Sequence, residues 1–422
     1  MADISPFPPR RAAFAFVFVT VLLDMLALGI VIPVLPKLIE DFMGGDTARA
    51  AVIYGGFATA WALMQFLFSP VLGSLSDRFG RRKVILLSNV GLGLDYVLMA
   101  LAPTVVWLFI GRIISGITAA SVSTAGAYIA DVTPPEQRAA KFGLLGAAFG
   151  FGFIVGPALG GVLGDIDPRL PFWVAASFSL ANALYGLFVL PESLPRDKRS
   201  AFSWRKANPI GALKLLRSHR DLWGLASVSF LSNLAHVALP STAVLYMGYR
   251  YGWDTKQVGL LLATVGVCHI VVQAGLVGRL VRTIGERRTM LVGIFGGALG
   301  FLIQGLAYSP RLYVFGVVVM SIWGFMNPAL QSTMTRLVQP SEQGRLQGAN
   351  SSLLGIANLL GPIIFTHVFA TFIAHREWEV PGAAFVLSSA LLFAGAVLAV
   401  RLTSGSTKKT TRGSAIGKAS RE

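Results

Sequence analysis

Long apolar stretches separated by short polar intervals run through the chain from residue 12 to residue 401. About 20 apolar residues in helical form cross a ~30 Å hydrocarbon core. The pattern predicts spanning helices near 12–36, 51–73, 83–103, 105–130, 140–164, 170–191, 222–247, 257–279, 289–308, 312–336, 346–373 and 382–401. The longest polar interval between them, Glu192–Asp221, leaves six spans on each side. The expected organisation is therefore a six-helix bundle over 1–191, a cytoplasmic central loop over 192–221 and a second bundle over 222–402. A tail at 403–422, rich in Ser, Thr, Lys and Gly, is expected to be disordered. The basic Met1–Arg11 segment leads into an apolar run too long for the ~7–15-residue core of a cleaved signal, so that run reads as a first span that also directs insertion.

Composition agrees with this pattern. The 422 residues are 54% hydrophobic and 13% charged, against roughly 25% charged in an ordinary soluble domain. A net charge of +16 would suit a nucleic-acid partner, but the basic residues cluster between spans rather than in a basic, aromatic-rich domain. With alternate loops, the central loop and both termini on one side, that side holds 28 of the 36 Lys and Arg, the other side holds 7, and Arg112 lies within a span. The positive-inside rule makes the first side cytoplasmic. The single cysteine, Cys268, excludes an internal disulfide framework.

The two halves repeat. Gly73, Gly80, Gly143 and Gly156 recur as Gly278, Gly285, Gly348 and Gly361, each 205 residues later, and Arg82 and Pro157 recur as Arg287 and Pro362. The loop Pro135–Gln137 recurs near Pro340–Gln343. Six spans per half put both halves in the membrane in the same sense, the arrangement of transporters that rock about a midplane site. The expected fold is an all-α membrane protein of twelve transmembrane helices in two six-helix parallel repeats.

Three groups of residues carry candidate chemistry. In the loop after span 2, Gly73-Ser-Leu-Ser-Asp77-Arg78-Phe-Gly80-Arg81-Arg82-Lys83, the glycines permit a tight turn, and Asp77 among arginines can make charge-assisted bonds that open and close as helices move. This stretch resembles the signature G-x-L-x-D-R-x-G-R-R of the major facilitator superfamily. A decayed copy, Gly278-Arg-Leu-Val-Arg282-Thr-Ile-Gly285-Glu-Arg287-Arg288, follows in the second half. In span 5, Gly152, Gly156, Gly160 and Gly164 form one smooth helix face, joined by Pro157 and Gly161. That face is similar to the span-5 signature of the superfamily's drug exporters, and it also suits plain close packing. Inside the membrane, Asp24 and Asp95 each lie about 12 residues into their spans, roughly 18 Å from the cytoplasmic face. Arg112 in span 4 is placed to meet Asp95. Such charges are costly in lipid and usually functional, and a desolvated carboxylate can take up a proton in one conformation and release it in another. A fixed Asp95–Arg112 pair of purely structural role is the alternative, and Asp24 has no evident partner in the sequence.

Leu22-Leu-Asp24, Ile32-Pro-Val-Leu-Pro36, Ala62-Leu-Met-Gln65, Leu94-Asp95-Tyr96, Gly111-Arg112-Ile-Ile-Ser-Gly116, Cys268-His269, Val272-Gln273, Pro328-Ala-Leu-Gln331 and Leu346-Gln-Gly348 resemble the bacterial tetracycline efflux proteins over about residues 13–400. The resemblance implies proton-driven exchange of a divalent-metal–tetracycline chelate across the bacterial inner membrane, with both termini cytoplasmic. It also implies roles for Asp24, Asp95 and Arg112. No cofactor is implied: the proton gradient supplies the energy, and Mg2+ would enter only with the substrate. The partners implied are the drug, H+ and the lipid bilayer, with no nucleic acid and no obligate protein partner. Those proteins carry an aspartate in span 9, whereas the matching stretch here, Gly293-Ile-Phe-Gly-Gly297-Ala-Leu-Gly300, has none, and no carboxylate occurs in any second-half span. Either Asp24 and Asp95 carry coupling alone, or the protein moves another drug or a native metabolite. Gln65, His269, Gln273, Asn327 and Gln331 are candidates to line a substrate cavity and equally to join helices, while His236 and His367 read as packing groups. No P-loop, H-E-x-x-H or Ser/His/Asp arrangement points to an enzyme.

Overall fold

The structure, a computed structural model, describes residues 10–118, 121–200, 216, 220–339, 342–375 and 380–419. Most of the expected central loop, Pro340 and Ser341 of the repeated loop, and residues 420–422 lie outside the described residues. The helices are α1 (Arg10–Val31), α2 (Leu35–Phe42), α3 (Thr47–Phe79), α4 (Arg81–Leu101), α5 (Val105–Thr118), α6 (Ser121–Val132), α7 (Pro135–Ile166) and α8 (Leu170–Val189). They continue as α9 (Arg220–His236), α10 (Ala238–Tyr251), α11 (Thr255–Ile270), α12 (Val277–Leu306), α13 (Pro310–Met320), α14 (Met326–Thr335), α15 (Gln343–Ala374) and α16 (Ala383–Ala419). There is no strand among the described residues. A π-helical turn, Val271–Leu276, joins α11 to α12, and a 3-10 segment, Ser321–Phe325, joins α13 to α14.

Eleven stretches among the described residues are long and apolar enough to cross a membrane, and the shorter apolar helix α5 supplies the remaining expected span, continuing towards α6. The chain is a multi-span, all-α membrane protein. Lipid cannot bond exposed backbone, so each crossing must satisfy its own N–H and C=O groups, and the helix does so. Ends are set by local chemistry. Asp46 accepts from the Arg49 N–H at 2.9 Å to start α3, and Ser309 accepts from Leu312 N–H at 3.3 Å to start α13. Helix α16 runs on to Ala419, into the segment that the sequence suggests is without order.

Two compact units are present: 1–209 with 241–267, and 210–240 with 268–422. The unit boundary thus differs from the repeat boundary, because 241–267 packs within the first unit. In that unit the α7 glycines work as docking points. A Cβ on Gly152 would meet Met25 at 2.5 Å, and one on Gly156 would meet the Gly29 backbone at 2.6 Å, so α1 lies directly on α7. Gly161 turns towards a different neighbour, α11, where a Cβ would meet the Thr255 carbonyl at 2.7 Å and the Gly259 backbone at 3.1 Å. In the second unit, Gly293 of α12 gives room to the Met326 backbone, and Phe301 stacks on Phe385 of α16 with ring centres 6.4 Å apart.

Glycine stripes of this kind allow helix backbones to approach closely in lipid. Gly156→Val should therefore lower stability by roughly 1–3 kcal/mol through overpacking. Gly146→Val on the same helix, where a Cβ meets nothing within 4 Å, should leave thermal unfolding of the detergent-purified protein unchanged.

Candidate functional site

The close seating of α1 on α7 holds Asp24 inside the first unit, where it is 6% exposed. Two amides face it. Asn182 of α8 donates from Nδ2 to Asp24 Oδ1 at 2.9 Å and to the Thr20 carbonyl at 2.8 Å. With the Asn89 amide turned so that its NH2 faces the carboxylate, Asn89 of α4 donates to both Asp24 oxygens at 3.3 Å and accepts from Asn182 at 3.0 Å. The impression from sequence that Asp24 has no partner is thus corrected: its partners include neutral donors on α4 and α8.

Asp95, six residues beyond Asn89 on α4, is 1% exposed, and Arg112 on α5 is 8% exposed. Gly111 lets α5 lie against α4 at this level, since a Cβ there would sit 2.8 Å from Asp95 Oδ1. The two charges are neighbours that interact electrostatically, but they do not form an ion pair within 4 Å. Both Asp95 oxygens and Arg112 Nε are buried without a hydrogen-bond partner, while Arg112 Nη2 donates to Ser115 Oγ at 3.2 Å. Tyr96, 2% exposed, lies within electrostatic reach of Asp24, Asp95 and Arg112 alike. An ionised carboxylate at mid-membrane costs about 2.5–3.5 kcal/mol on insertion scales. Hydrogen bonds to a charged group return about 1.5–3 kcal/mol each. The amides can therefore offset the cost at Asp24, whereas no such bond does so at Asp95.

A second cluster closes the turn between α3 and α4. Gly80, at φ +103°, occupies a backbone region that side chains rarely adopt and makes the two-helix turn possible. Arg81 is its hub: the side chain reaches Asp77 at 2.5 Å, Ser76 Oγ at 2.6 Å and Asp131 at 3.2 Å, and the backbone N–H donates to Glu192 Oε1 at 2.9 Å. Arg82 donates to the Leu187 carbonyl, and Arg78 lies over the Phe79 ring at 5.1 Å. Gly73 sits one turn before Asp77, and its carbonyl accepts from Ser76 Oγ.

The second unit has a counterpart of opposite polarity. Gly285, at φ +80°, precedes Glu286, which accepts from Arg336 at 2.7 Å and from Ser332 Oγ at 2.8 Å. Glu286 and Arg336 stand 205 residues after Arg81 and Asp131, so the repeat keeps the pair and exchanges its charges.

The remaining candidates are dispersed. His269 and Gln273, one turn apart and exposed, contact each other at 3.3 Å. His236 is exposed and stacks against Trp323 at 5.2 Å, and Trp323 donates to Ser232 at 2.9 Å. Gln331 accepts from Asn350 at 3.1 Å, Gln65 is half-buried, Asn327 is exposed, and His367 bonds to the Ile363 carbonyl of its own helix. A Cβ on Gly297 would lie 2.8 Å from Trp323, so the span-9 position without a carboxylate is filled by the indole.

The profile of the Major Facilitator Superfamily matches residues 17–362 and 274–421. The chain belongs to that superfamily. It is 37% identical over 372 residues to tetracycline resistance protein, class C, of Escherichia coli, covering 88% of this chain and 92% of the relative. It is 36% identical over 369 residues to the class G protein of Vibrio anguillarum, covering 87% and 93%. It is 27% identical to multidrug resistance protein 2 of Bacillus subtilis strain 168 over 84% of this chain and 88% of the relative. Among solved structures, the human organic anion transporter MFSD10 (TETRAN) aligns with a TM-score of 0.68 at 25% identity, covering 93% of this chain and all of that one. The nucleoside transporter NupG aligns at 0.75 with 14% identity, over 93% and 99%, and shares the fold. This is a membrane transporter of the major facilitator fold, not an enzyme.

Sequence reasoning missed Asn89, Asn182, Ser115, Asp131 and Glu192. Polar residues within apolar runs were a usable signal for the first three. If the Asn182 bond holds Asp24, Asn182→Ala should destabilise the purified protein by roughly 1–3 kcal/mol. Most of that loss should vanish in an Asp24→Leu background, as a double-mutant cycle of melting midpoints would show.

Proposed function

We propose that this protein exports tetracycline, bound as a divalent-metal chelate, in exchange for protons across a bacterial inner membrane. The observation that carries this reading is the buried Asp24–Asp95–Arg112 group, in a chain whose relatives at 33–37% identity are tetracycline resistance proteins. The metal arrives with the substrate and no cofactor takes part. Both termini and the Arg81 cluster lie on the cytoplasmic side, as the distribution of Lys and Arg supports.

Coupling follows from the chemistry of the two carboxylates. Ionised Asp24, held by its two amides, supplies negative charge for a cationic chelate. Asp95 lacks both a hydrogen bond and a close counter-ion, so its protonation responds most to a rearrangement of α4 against α5. A proton entering from the outer face neutralises the group and lowers the affinity for the cation, which then leaves. Arg112 keeps the site from holding two negative charges without compensation. Arg81 binds Asp77 and Asp131 in one state, and opening of that cluster accompanies the other.

One observation favours a second reading, export of another drug or a native metabolite: Trp323 occupies the place beside Gly297 where a carboxylate is absent. The deciding experiment combines tetracycline susceptibility with uptake by energised inverted vesicles. Expression of the native protein should raise resistance, and uptake should collapse on dissipating the proton gradient. Asp24→Asn should lower uptake at least tenfold at equal membrane abundance. Native vesicles that accumulate other cationic drugs but not tetracycline would establish the second reading.

A further inference from the structure

One face of α12 is apolar, exposed and ends in a charge. Arg288, Val292, Phe295 and Leu299 recur at helical spacing on it, and the three apolar residues are 42%, 44% and 53% exposed. The opposite face, with Met290, Gly293, Ile294 and Gly297, is buried within the second unit. Leu291, Ile284 and Ile322 complete a groove of about 550 Å³, floored where Gly296 lets Ile322 of the 3-10 segment come close. Every lining residue is apolar or glycine except Arg288. Arg288 makes no ion pair or hydrogen bond among the described residues, whereas nearby Glu286 is taken up by Arg336 and Ser332.

We propose that this groove holds one anionic phospholipid, with its phosphate on Arg288 and an acyl chain along Val292, Phe295 and Leu299. Length supports the assignment. Arg288 to Leu299 spans about 16 Å of helix, close to half of a ~30 Å hydrocarbon core, the depth of one leaflet. Polarity supports it too. Beyond its mouth the lining offers no polar side chain, which suits an acyl chain. Charge gives the headgroup preference: a free guanidinium at headgroup depth attracts an anionic lipid, each such residue contributing about 1 kcal/mol. The basic run Arg279, Arg282, Arg287 and Arg288 places this mouth at the cytoplasmic leaflet. The inference does not depend on the transported substrate.

Native mass spectrometry of detergent-purified protein titrated with phosphatidylglycerol or phosphatidylcholine tests the proposal. The native protein should retain one phosphatidylglycerol in preference to phosphatidylcholine. Arg288→Gln should weaken phosphatidylglycerol binding roughly fivefold and remove the preference, the factor expected for one surface cation. Val292→Trp, which obstructs the acyl-chain path beyond Arg288 and keeps the charge, should sharply reduce retention of both lipids at that site. Lys83→Gln removes an equal charge elsewhere and should leave binding as in the native protein. Equal losses in Arg288→Gln and Lys83→Gln would show general electrostatic attraction and overturn the assignment. Full lipid retention in Val292→Trp would overturn it as well.

Discussion

Bilayer interior offers an ionised group no water, and the first unit contains three side chains that must live with that constraint. Asp24 accepts from two asparagine amides on different helices, Arg112 donates through one nitrogen to Ser115 while its Nε stays unbonded, and Asp95 has neither a hydrogen bond nor a close ion pair. Much of the surrounding architecture serves this arrangement. The glycines of α7 seat α1 closely, Asn182 of α8 reaches Asp24, and Gly111 brings α5 against α4 at the level of Asp95. Asp24, held by two asparagine amides, thus shares the first unit with Asp95, whose carboxylate has no hydrogen bond.

The repeat shows what can be kept while chemistry diverges. Gly80 and Gly285 both adopt positive φ, and each is followed by a residue that pairs with the helix ending about 50 residues later. The pair is Arg81–Asp131 in the first half and Glu286–Arg336 in the second. Opposite polarity preserves each clasp within its own unit and makes the second-half loop more than a decayed copy of the first. The membrane interior diverges more strongly. Carboxylates occur only in first-half spans, and at Gly297 the indole of Trp323 takes the available volume.

The spans, the superfamily and the three intramembrane charges were legible in the sequence because each rests on a strong contrast: apolar runs against polar loops, a dense Gly-Asp-Arg motif, an acid within an apolar stretch. Asn89 and Asn182 were not legible, because a neutral amide in a span joins helices as often as it serves a site, and only packing brings both to one carboxylate. Nothing in the sequence ties Asp131 or Glu192 to Arg81; the fold brings them together. The π-helical turn at Val271–Leu276 and the split of span 10 at Ser321–Phe325 leave no trace in hydropathy, since they change hydrogen-bond register and not composition.

The central claim is that Asp95 carries the coupling proton, and coupling and substrate movement can be separated there. In proteoliposomes, Asp95→Asn should retain exchange of labelled for unlabelled tetracycline at equal pH on both sides, and should lose accumulation driven by a pH gradient. Persistence of gradient-driven accumulation in that variant would contradict the account and place the coupling proton elsewhere in the chain.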